Sequence, residues 1–545
     1  MLKNQGYDSQ TGVWNDSLIG NYLWSSANTR EASPDVMTPY TWSAVRYGFA
    51  QMILLPGYLS VGNICGRIYN NASVGATALQ ALGLGKSSFD ASSKELYGID
   101  PDASKDWNVP LLPVSLWDRA LVAGNTLRVM VSVRKAVKSI DPFLASNPAW
   151  CEAQLRKLPD LDQQELIGWL NQVLLPYLVR CFWWMAGSAI AQSNVVGKLR
   201  RDLLQIVGPQ DTVALLSNVS TAEELLASLG VVVGLDRLRR GKISRKEYVR
   251  QYGHRGPHEI ELSFLRPAED PAWIDEQLQE MERSPLDVDT LLAEQRGRYE
   301  AALGRLQAAV PQKYPSLLRR INEGSRLTRL REAGRSEGIR TLWVARTFAL
   351  RTGEISGLGE DIFFLELGEV IRLLEGQDNS HYPISTRQAA YHKLAALPQY
   401  PTIIMGQFDP FEWASDPNRR ADIYDKTQQL NKRFTAHIKG LPGSAGCAEG
   451  RVRILNSPEE GTLLQPSEIL VAVTTNVGWT PIFPRAAAVV TDVGAPLSHA
   501  AIVARELGIP AVVGCFNATA VLKTGDHVRV DGSTGTVTIL DGQSK

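Results

Sequence analysis

Residues 491–514 read Thr491-Asp492-Val493-Gly494-Ala495-Pro496-Leu497-Ser498-His499-Ala500-Ala501-Ile502-Val503-Ala504-Arg505-Glu506-Leu507-Gly508-Ile509-Pro510-Ala511-Val512-Val513-Gly514. An apolar run, Ala486–Val490, feeds a Gly/Pro turn. The turn predicts a helix opening at Ser498 and His499, with Ser498 either capping it or hydrogen-bonding a phosphate. Gly508-Ile509-Pro510 ends that helix, and Ala511–Val513 predicts another strand. The first turn of a helix offers free N–H groups and the positive end of the dipole, both suited to an anion. A histidine in that setting can act as a nucleophile toward phosphate. A lone histidine is more often a cap or a core residue, so the surrounding pattern has to decide.

Outward from this stretch, short strands are expected at Gly450–Leu455, Glu468–Thr474 and Ala486–Val490, with a hairpin of His527–Val530 and Thr536–Leu540. Gly440-Leu441-Pro442-Gly443-Ser444-Ala445-Gly446 reads as a turn-rich junction. Before it, apolar residues at three-and-four spacing predict helices over 160–174, 194–206, 271–283, 286–310, 316–331 and 337–351. The expected architecture is multidomain. A large, mainly α-helical domain (1–435) is followed by a linker (436–446) and a compact α/β domain of β/β/α type (447–545).

A chain of 545 residues is long enough for several domains. Its 44% hydrophobic and 21% charged residues are ordinary for a globular protein. Lys+Arg and Asp+Glu balance at 57 each, so no global field favours nucleic acid or an anionic membrane. Cys65, Cys151, Cys181, Cys447 and Cys515 are scattered and odd in number, which fits a reduced, cytoplasmic setting. The start of the chain lacks a signal-peptide core, and residues 174–191 contain Pro176 and Arg180, which predicts a buried helix rather than a span. Gly83-Leu84-Gly85-Lys86-Ser87 fails the P-loop pattern, because Gln80 stands at the first glycine and no strand precedes it.

The run from Gly494 through Ser498-His499-Ala500-Ala501-Ile502-Val503-Ala504-Arg505-Glu506-Leu507-Gly508-Ile509-Pro510 to Gly514 resembles the phosphohistidine swivelling domain of phosphoenolpyruvate synthase, pyruvate phosphate dikinase and rifampin phosphotransferase. Gly478-Trp479-Thr480-Pro481-Ile482-Phe483 is similar to a loop of the same family. Met37–Ser43, Gly66–Asn71, Tyr252–Leu262 and Asp361–Leu365 resemble the acceptor-binding domain of rifampin phosphotransferase. The phosphohistidine subunit of phenylphosphate synthase is similar in plan. One departure is that Ala495 and Pro496 follow Gly494, where the family usually has two glycines.

The resemblance implies that His499 carries a phosphoryl group as a covalent phosphohistidine, taken from the β-phosphate of ATP. It also implies that Arg331 and Arg335, one helical turn apart, face that group, with Arg335 in place of the family's lysine. A solvated basic face is the alternative for this pair. His254, Arg255, His258 and Glu259 form a dense polar cluster. It reads either as a hydrogen-bonded turn or as a site for the acceptor or phosphate, and Arg67 and Tyr69 carry the same two readings. Trp42 and Trp183 belong either to the core or to an aromatic acceptor pocket.

Family members begin with an ATP-grasp domain, whereas the acceptor-domain motifs here start within the first 45 residues. The expectation is therefore a phosphotransferase component whose ATP and Mg2+ sit on a separate ATP-grasp protein. Its acceptor is a small molecule, with no role for nucleic acid or membrane. An ATP-dependent condensing enzyme and a non-catalytic ligand-binding protein are the alternatives.

Overall fold

The computed structural model describes residues 6–8, 11–97, 109–218, 226–283, 288–377, 382–417, 419–426, 437–496 and 498–540. The chain divides into two compact units. The first comprises residues 1–187, 258–265 and 337–430; the second comprises 188–257, 266–336 and 431–545. Compactness therefore groups two helical stretches with the C-terminal residues, instead of separating 1–435 from 447–545.

The first unit has a five-stranded sheet in the order β2-β3-β1-β4-β5. Its strands are β1 (Leu23–Ser25), β2 (Val61–Ile64), β3 (Arg67–Asn71), β4 (Ile403–Met405) and β5 (Ile423–Asp425). β2 and β3 form a hairpin whose tip holds Cys65 at φ 47° and Gly66 at φ 87°. Helix α1 (Pro39–Phe49) starts with Thr38 as its cap and Pro39 in the first turn. Helix α2 (Leu116–Lys157) starts with a Ser115–Asp118 capping box. A helix, Ala72–Ala81, precedes Gly83-Leu84-Gly85-Lys86-Ser87, as the rejection of a P-loop requires.

Two long helices supply residues to both units: α3 (Leu175–Leu215) and α4 (Tyr314–Ser356). The helix expected at 194–206 is part of α3, whose helical dihedrals break at Gly208 (φ 74°), just before Pro209. Helix α4 replaces two expected helices, 316–331 and 337–351. A glycine in a helix costs about 1 kcal/mol against alanine, so Gly334 weakens the helix without ending it. With α3, the stretch Gln163–Leu215 is long and apolar enough to cross a membrane by composition alone. Its Leu174, Tyr177 and Cys181 are buried, while Phe182–Ala186 are only half-buried, so the fully buried helix expected at 174–191 is not observed.

The second unit contains an eight-stranded sheet ordered β6-β13-β12-β8-β9-β10-β11-β7. The strands are β6 (His437–Lys439), β7 (Leu441–Ser444), β8 (Cys447–Ile454), β9 (Ile469–Ala472), β10 (Ala488–Thr491), β11 (Ala511–Val513), β12 (His527–Asp531) and β13 (Thr536–Ile539). β8 through β11 run parallel in sequence order, and the remaining pairs are antiparallel. Helix α5 (His499–Glu506) crosses from β10 to β11, as such a parallel pair needs. The parallel strands are buried on both faces. Ile469, Val471, Ala488 and Val490 point into one apolar cluster. Leu470, Ala472 and Val489 point into the other, with Ala500, Ala501, Val503 and Ala504 of α5.

Residues 437–446 are not the expected linker. β6 and β7 are the two edges of the sheet, and only Gly440 separates them in the chain. Two residues span at most about 7 Å, so the ends of the two edge strands lie close together at Gly440. The Gly440 N–H donates to Gly535 O (2.8 Å) and the Gly532 N–H to Gly446 O (2.9 Å) at this seam. Pro442 misleads the sequence reading, because proline is tolerated on an edge strand. Position 436 lies outside the described residues.

The seam has no room for a side chain. A Cβ on Gly440 would lie 2.7 Å from Cys515 Sγ and from Val513 O. Gly440→Val is expected to destabilise the protein by about 1–3 kcal/mol or more, read as a lower midpoint in urea unfolding. Gly304→Ala is the contrasting control for crowding, since a Cβ there meets nothing within 4 Å and the residue is helical.

Candidate functional site

Adjacent parallel strands end side by side, and their following loops share one crevice. β9 ends at Ala472 and β10 at Thr491, paired in register. The loop after β9 holds Thr475, Asn476 and a tight turn, Val477–Trp479, followed by Thr480. The loop after β10 carries Gly494 at φ 150°, where a Cβ would lie 3.1 Å from Ser498 Oγ and Val513 Cβ. Glycine fits that crowded, left-handed position best. Ser498 caps α5, its Oγ accepting from the Ala501 N–H at 3.3 Å. His499 is the first residue of the helix.

His499 is buried. Thr475 Oγ1 lies 3.3 Å from its Nδ1, and Thr480 Oγ1 lies 3.2 Å from its Nε2. Phe483 meets the ring edge-on at 5.9 Å. Burial pushes the imidazole pKa well below its ordinary 6.5, and the charges of Arg335, Arg255 and Arg331 push it further down. The ring is therefore neutral at physiological pH. One nitrogen carries N–H and the other a lone pair, and each faces a hydroxyl that can rotate to accept or donate. The lone-pair nitrogen is chemically able to act as a nucleophile.

The arginines come from two places. Arg331 and Arg335 lie one turn apart on α4. Both are half-buried, and the charge of each bears on His499. Arg255 is buried in the turn after the helix Arg245–Tyr252. That turn is pinned by three contacts. The Arg255 N–H donates to Tyr252 O (2.8 Å), His254 Nε2 pairs with Ser336 Oγ (2.9 Å), and Asn476 Nδ2 donates to Pro257 O (2.7 Å). Asn476 belongs to the same loop as Thr475, so this bond ties the turn of Arg255 to the loop that holds the histidine's two threonine partners.

The rest of the polar cluster diverges. His258 is in the first unit, bonded through Nδ1 to Asp35 Oδ1 (2.9 Å) and stacked on Phe264. Glu259 is buried, also in the first unit. His254 and His258 therefore do not form a metal pair. Among the described residues, no three His, Cys, Asp or Glu side chains gather as a metal site. Arg67 donates to Gln399 Oε1 (3.0 Å) and lies over the Tyr400 ring (4.8 Å). The Tyr69 hydroxyl donates to Pro401 O (2.6 Å). Trp42 is packed among Trp14, Met37, Val61 and Ile68, a core position. Trp183 is half-buried, edge-on to Phe182.

Thr475 and Thr480, which flank His499, and Arg505 were given no role in the sequence reading. Arg505 is buried in α5, donating to Pro496 O (2.8 Å) and Gly443 O (2.9 Å). It braces the turn that sets His499, at a cost visible in its pKa, pushed down to about 10 by burial. Thr475 had a signal in its place just after an apolar strand, and Thr480 lies within the Gly478–Phe483 loop already quoted for its resemblance.

Residues 464–535 match the family described as PEP-utilising enzyme, mobile domain. This chain carries a PEP-utilising mobile domain. Its match includes His499 and both threonines. Rifampicin phosphotransferase of Bacillus cereus is 36% identical over 184 residues, 33% of this chain and 19% of that protein. A probable phosphoenolpyruvate synthase of Staphylothermus marinus is 47% identical over 121 residues, 22% and 14% respectively. Prodigiosin synthesizing transferase PigC of Serratia marcescens is 30% identical over 310 residues, 54% and 33%. The matched stretches thus span a third or less of these relatives. The chain is homologous to phosphotransferase-family enzymes, and the PEP-utilising family works through a phosphohistidine intermediate.

The field around His499 makes a pH prediction. A depressed pKa means the nucleophile stays neutral down to well below pH 6.5, so phosphoryl acceptance should be flat above that value and fall only in acid. Arg331→Gln or Arg335→Gln removes a depressing charge, so the acid limb should move to higher pH. Thr475→Val and Thr480→Val should each slow acceptance roughly three- to tenfold, the worth of one hydrogen bond, without moving the limb by the same amount. The pH profile of acid-labile labelling measures all of these.

Proposed function

We propose that the protein is a dikinase-type phosphotransferase component. His499 accepts the β-phosphate of ATP from a separate ATP-grasp protein, which holds ATP and Mg2+, and passes it to a small-molecule acceptor in the helical part of the chain. The observation that carries this reading is a buried, neutral imidazole held at both nitrogens and set in the field of three arginines.

The lone pair of one imidazole nitrogen forms the N–P bond to the β-phosphorus as its bond to AMP breaks, and water takes the γ-phosphoryl group, so AMP and inorganic phosphate leave as by-products. The proton on the other nitrogen remains with its threonine partner. The phosphorylated ring is dianionic at the phosphate, and Arg255, Arg331 and Arg335 offset that charge. In the second transfer, an acceptor nucleophile takes the phosphoryl group and the ring returns to neutral. Dividing one transfer into two lowers each barrier. The five cysteines are unpaired, which suits a reducing cytoplasm as the place of work.

A second reading has one observation in its favour. The relative PigC is named a synthesizing transferase, and its match covers 54% of this chain. In that reading the phosphoryl group activates one substrate for attack by another, and free phosphate appears with a coupled product.

The test mixes the protein with β-labelled ATP, Mg2+ and candidate ATP-grasp proteins. Acid-labile, base-stable label should appear on the wild type and be absent from His499→Ala. Equal labelling of that variant sinks the proposal. Adding acceptor and finding a stable phosphorylated product favours phosphotransfer, whereas a coupled product with free phosphate favours condensation.

A further inference from the structure

The C-terminal segment that carries His499 is held to the helices of its own unit in two different ways. The first is apolar. Trp479, Phe483 and Val503 share one buried cluster with Leu229, Val232 and Val233 of the helix Ala227–Arg239. Apolar contact is non-directional, so this cluster attaches the segment without fixing its angle. The second is polar and directed. At the end of α5, Glu506 accepts from the Asn218 N–H at 3.0 Å to each carboxylate oxygen, and from Asn218 Nδ2 at 3.1 Å. At the end of the loop that holds Thr480, Arg485 forms an ion pair with Glu280 of the helix Pro271–Arg283.

Both ties are buried and both are held at a cost. Burial pushes the Glu506 carboxyl up to about 7 and lowers the pKa of Arg485. Arg505 on the same helix favours the charge on Glu506, and Glu332 of α4 opposes it. Apolar residues of similar volume often serve stability as well as a buried charge does. What directed bonds add to an apolar contact is a defined angle. The Asn218 end is itself anchored. Ser325 Oγ donates to Asn218 Oδ1 (2.8 Å), and Arg329 Nη1 donates to Ser325 Oγ (3.0 Å). Ser325 and Arg329 lie on α4, the helix of Arg331 and Arg335. A chain of hydrogen bonds therefore runs from α5, which begins with His499, to the helix whose arginines bear on that histidine.

We propose that Glu506 is a positioning residue: through Asn218, and with Arg485–Glu280 as the second point, it latches the C-terminal segment in the orientation that sets His499 in the field of Arg331 and Arg335. The inference rests on the carrier reading above, since a carrier is what needs a docked orientation that can be released. Glu506 touches no reacting atom; it acts through the angle of α5.

Double electron–electron resonance on the full chain at pH 8 tests the latch. Spin labels go on Glu300→Cys and Lys523→Cys, both exposed positions, in a Cys447→Ala background, the other cysteines being buried. This parent is expected to show one narrow distance. Asn218→Asp sets two carboxylates together and should raise the ratio of released to docked molecules at least about tenfold, read as a broad distance component with unchanged circular dichroism. Adding Glu506→Gln to Asn218→Asp turns the side-chain bond round: the new amide donates to the new carboxylate, and its oxygen still accepts from the backbone N–H. The narrow distance should return, a rescue that a merely space-filling Glu506 would not give. Glu280→Arg sets two cations together and should broaden the distance from the other tie, which decides the matter if Asn218→Asp does not fold. A broad parent distance overturns the proposal. So does a distance that stays narrow in both Asn218→Asp and Glu280→Arg, or a double variant that stays broad. These distances need no ATP, partner or acceptor. A chain that takes no label from ATP but keeps the expected pattern therefore counts against the carrier reading and leaves the latch supported.

Discussion

The site depends on the pairing of β9 with β10. Two parallel strands in register end at the same level, so the loops after Ala472 and Thr491 are forced into one crevice. Everything that touches His499 follows from that alignment. Thr475 and Thr480 come from one loop and the histidine from the other. A slip of one residue would exchange the two faces of the strand. It would bury Leu470 and Ala472 where Ile469 and Val471 now sit, and the threonines would no longer straddle the ring.

Burial and charge act together on the imidazole. A dry site alone would favour the neutral ring, and so would three cations alone; both act in the same direction here. The arrangement suits a group that must be uncharged to attack and must then hold a dianion. In the proposed transfer, the arginines that discourage a proton beforehand are the ones that balance the phosphate afterwards. This economy explains why Arg255 is tied by a chain of hydrogen bonds to the loop of Thr475, rather than left on a mobile surface.

Much of this was legible in the sequence because it rests on local pattern. The strand–turn–helix around His499 and the i, i+4 spacing of Arg331 and Arg335 carry their geometry with them. Arg255 was visible as part of a polar cluster, but the cluster itself divides between the two units. Its members His258 and Glu259 lie with the first unit, because the chain between Pro257 and Arg266 passes from one unit to the other and back. No local signal announces that. The strands at 437–444 were hidden by Gly440, Pro442 and Gly443, whose meaning depends on being at an edge. The two helices expected at 316–331 and 337–351 are one continuous helix, α4.

The strand order of the eight-stranded sheet has a consequence for how the domain forms. β6 pairs with β13, β7 with β11 and β8 with β12. The earliest strands of the domain thus depend on the latest ones, roughly a hundred residues away along the chain. Such pairings are slow, because loop closure comes before any gain from contact. During synthesis the central parallel strands can assemble while β8 still waits for its partner with an open edge, and open edges invite pairing with other chains. The seam between β6 and β13 is therefore closed only at the last step, once residues 536–539 have joined the sheet.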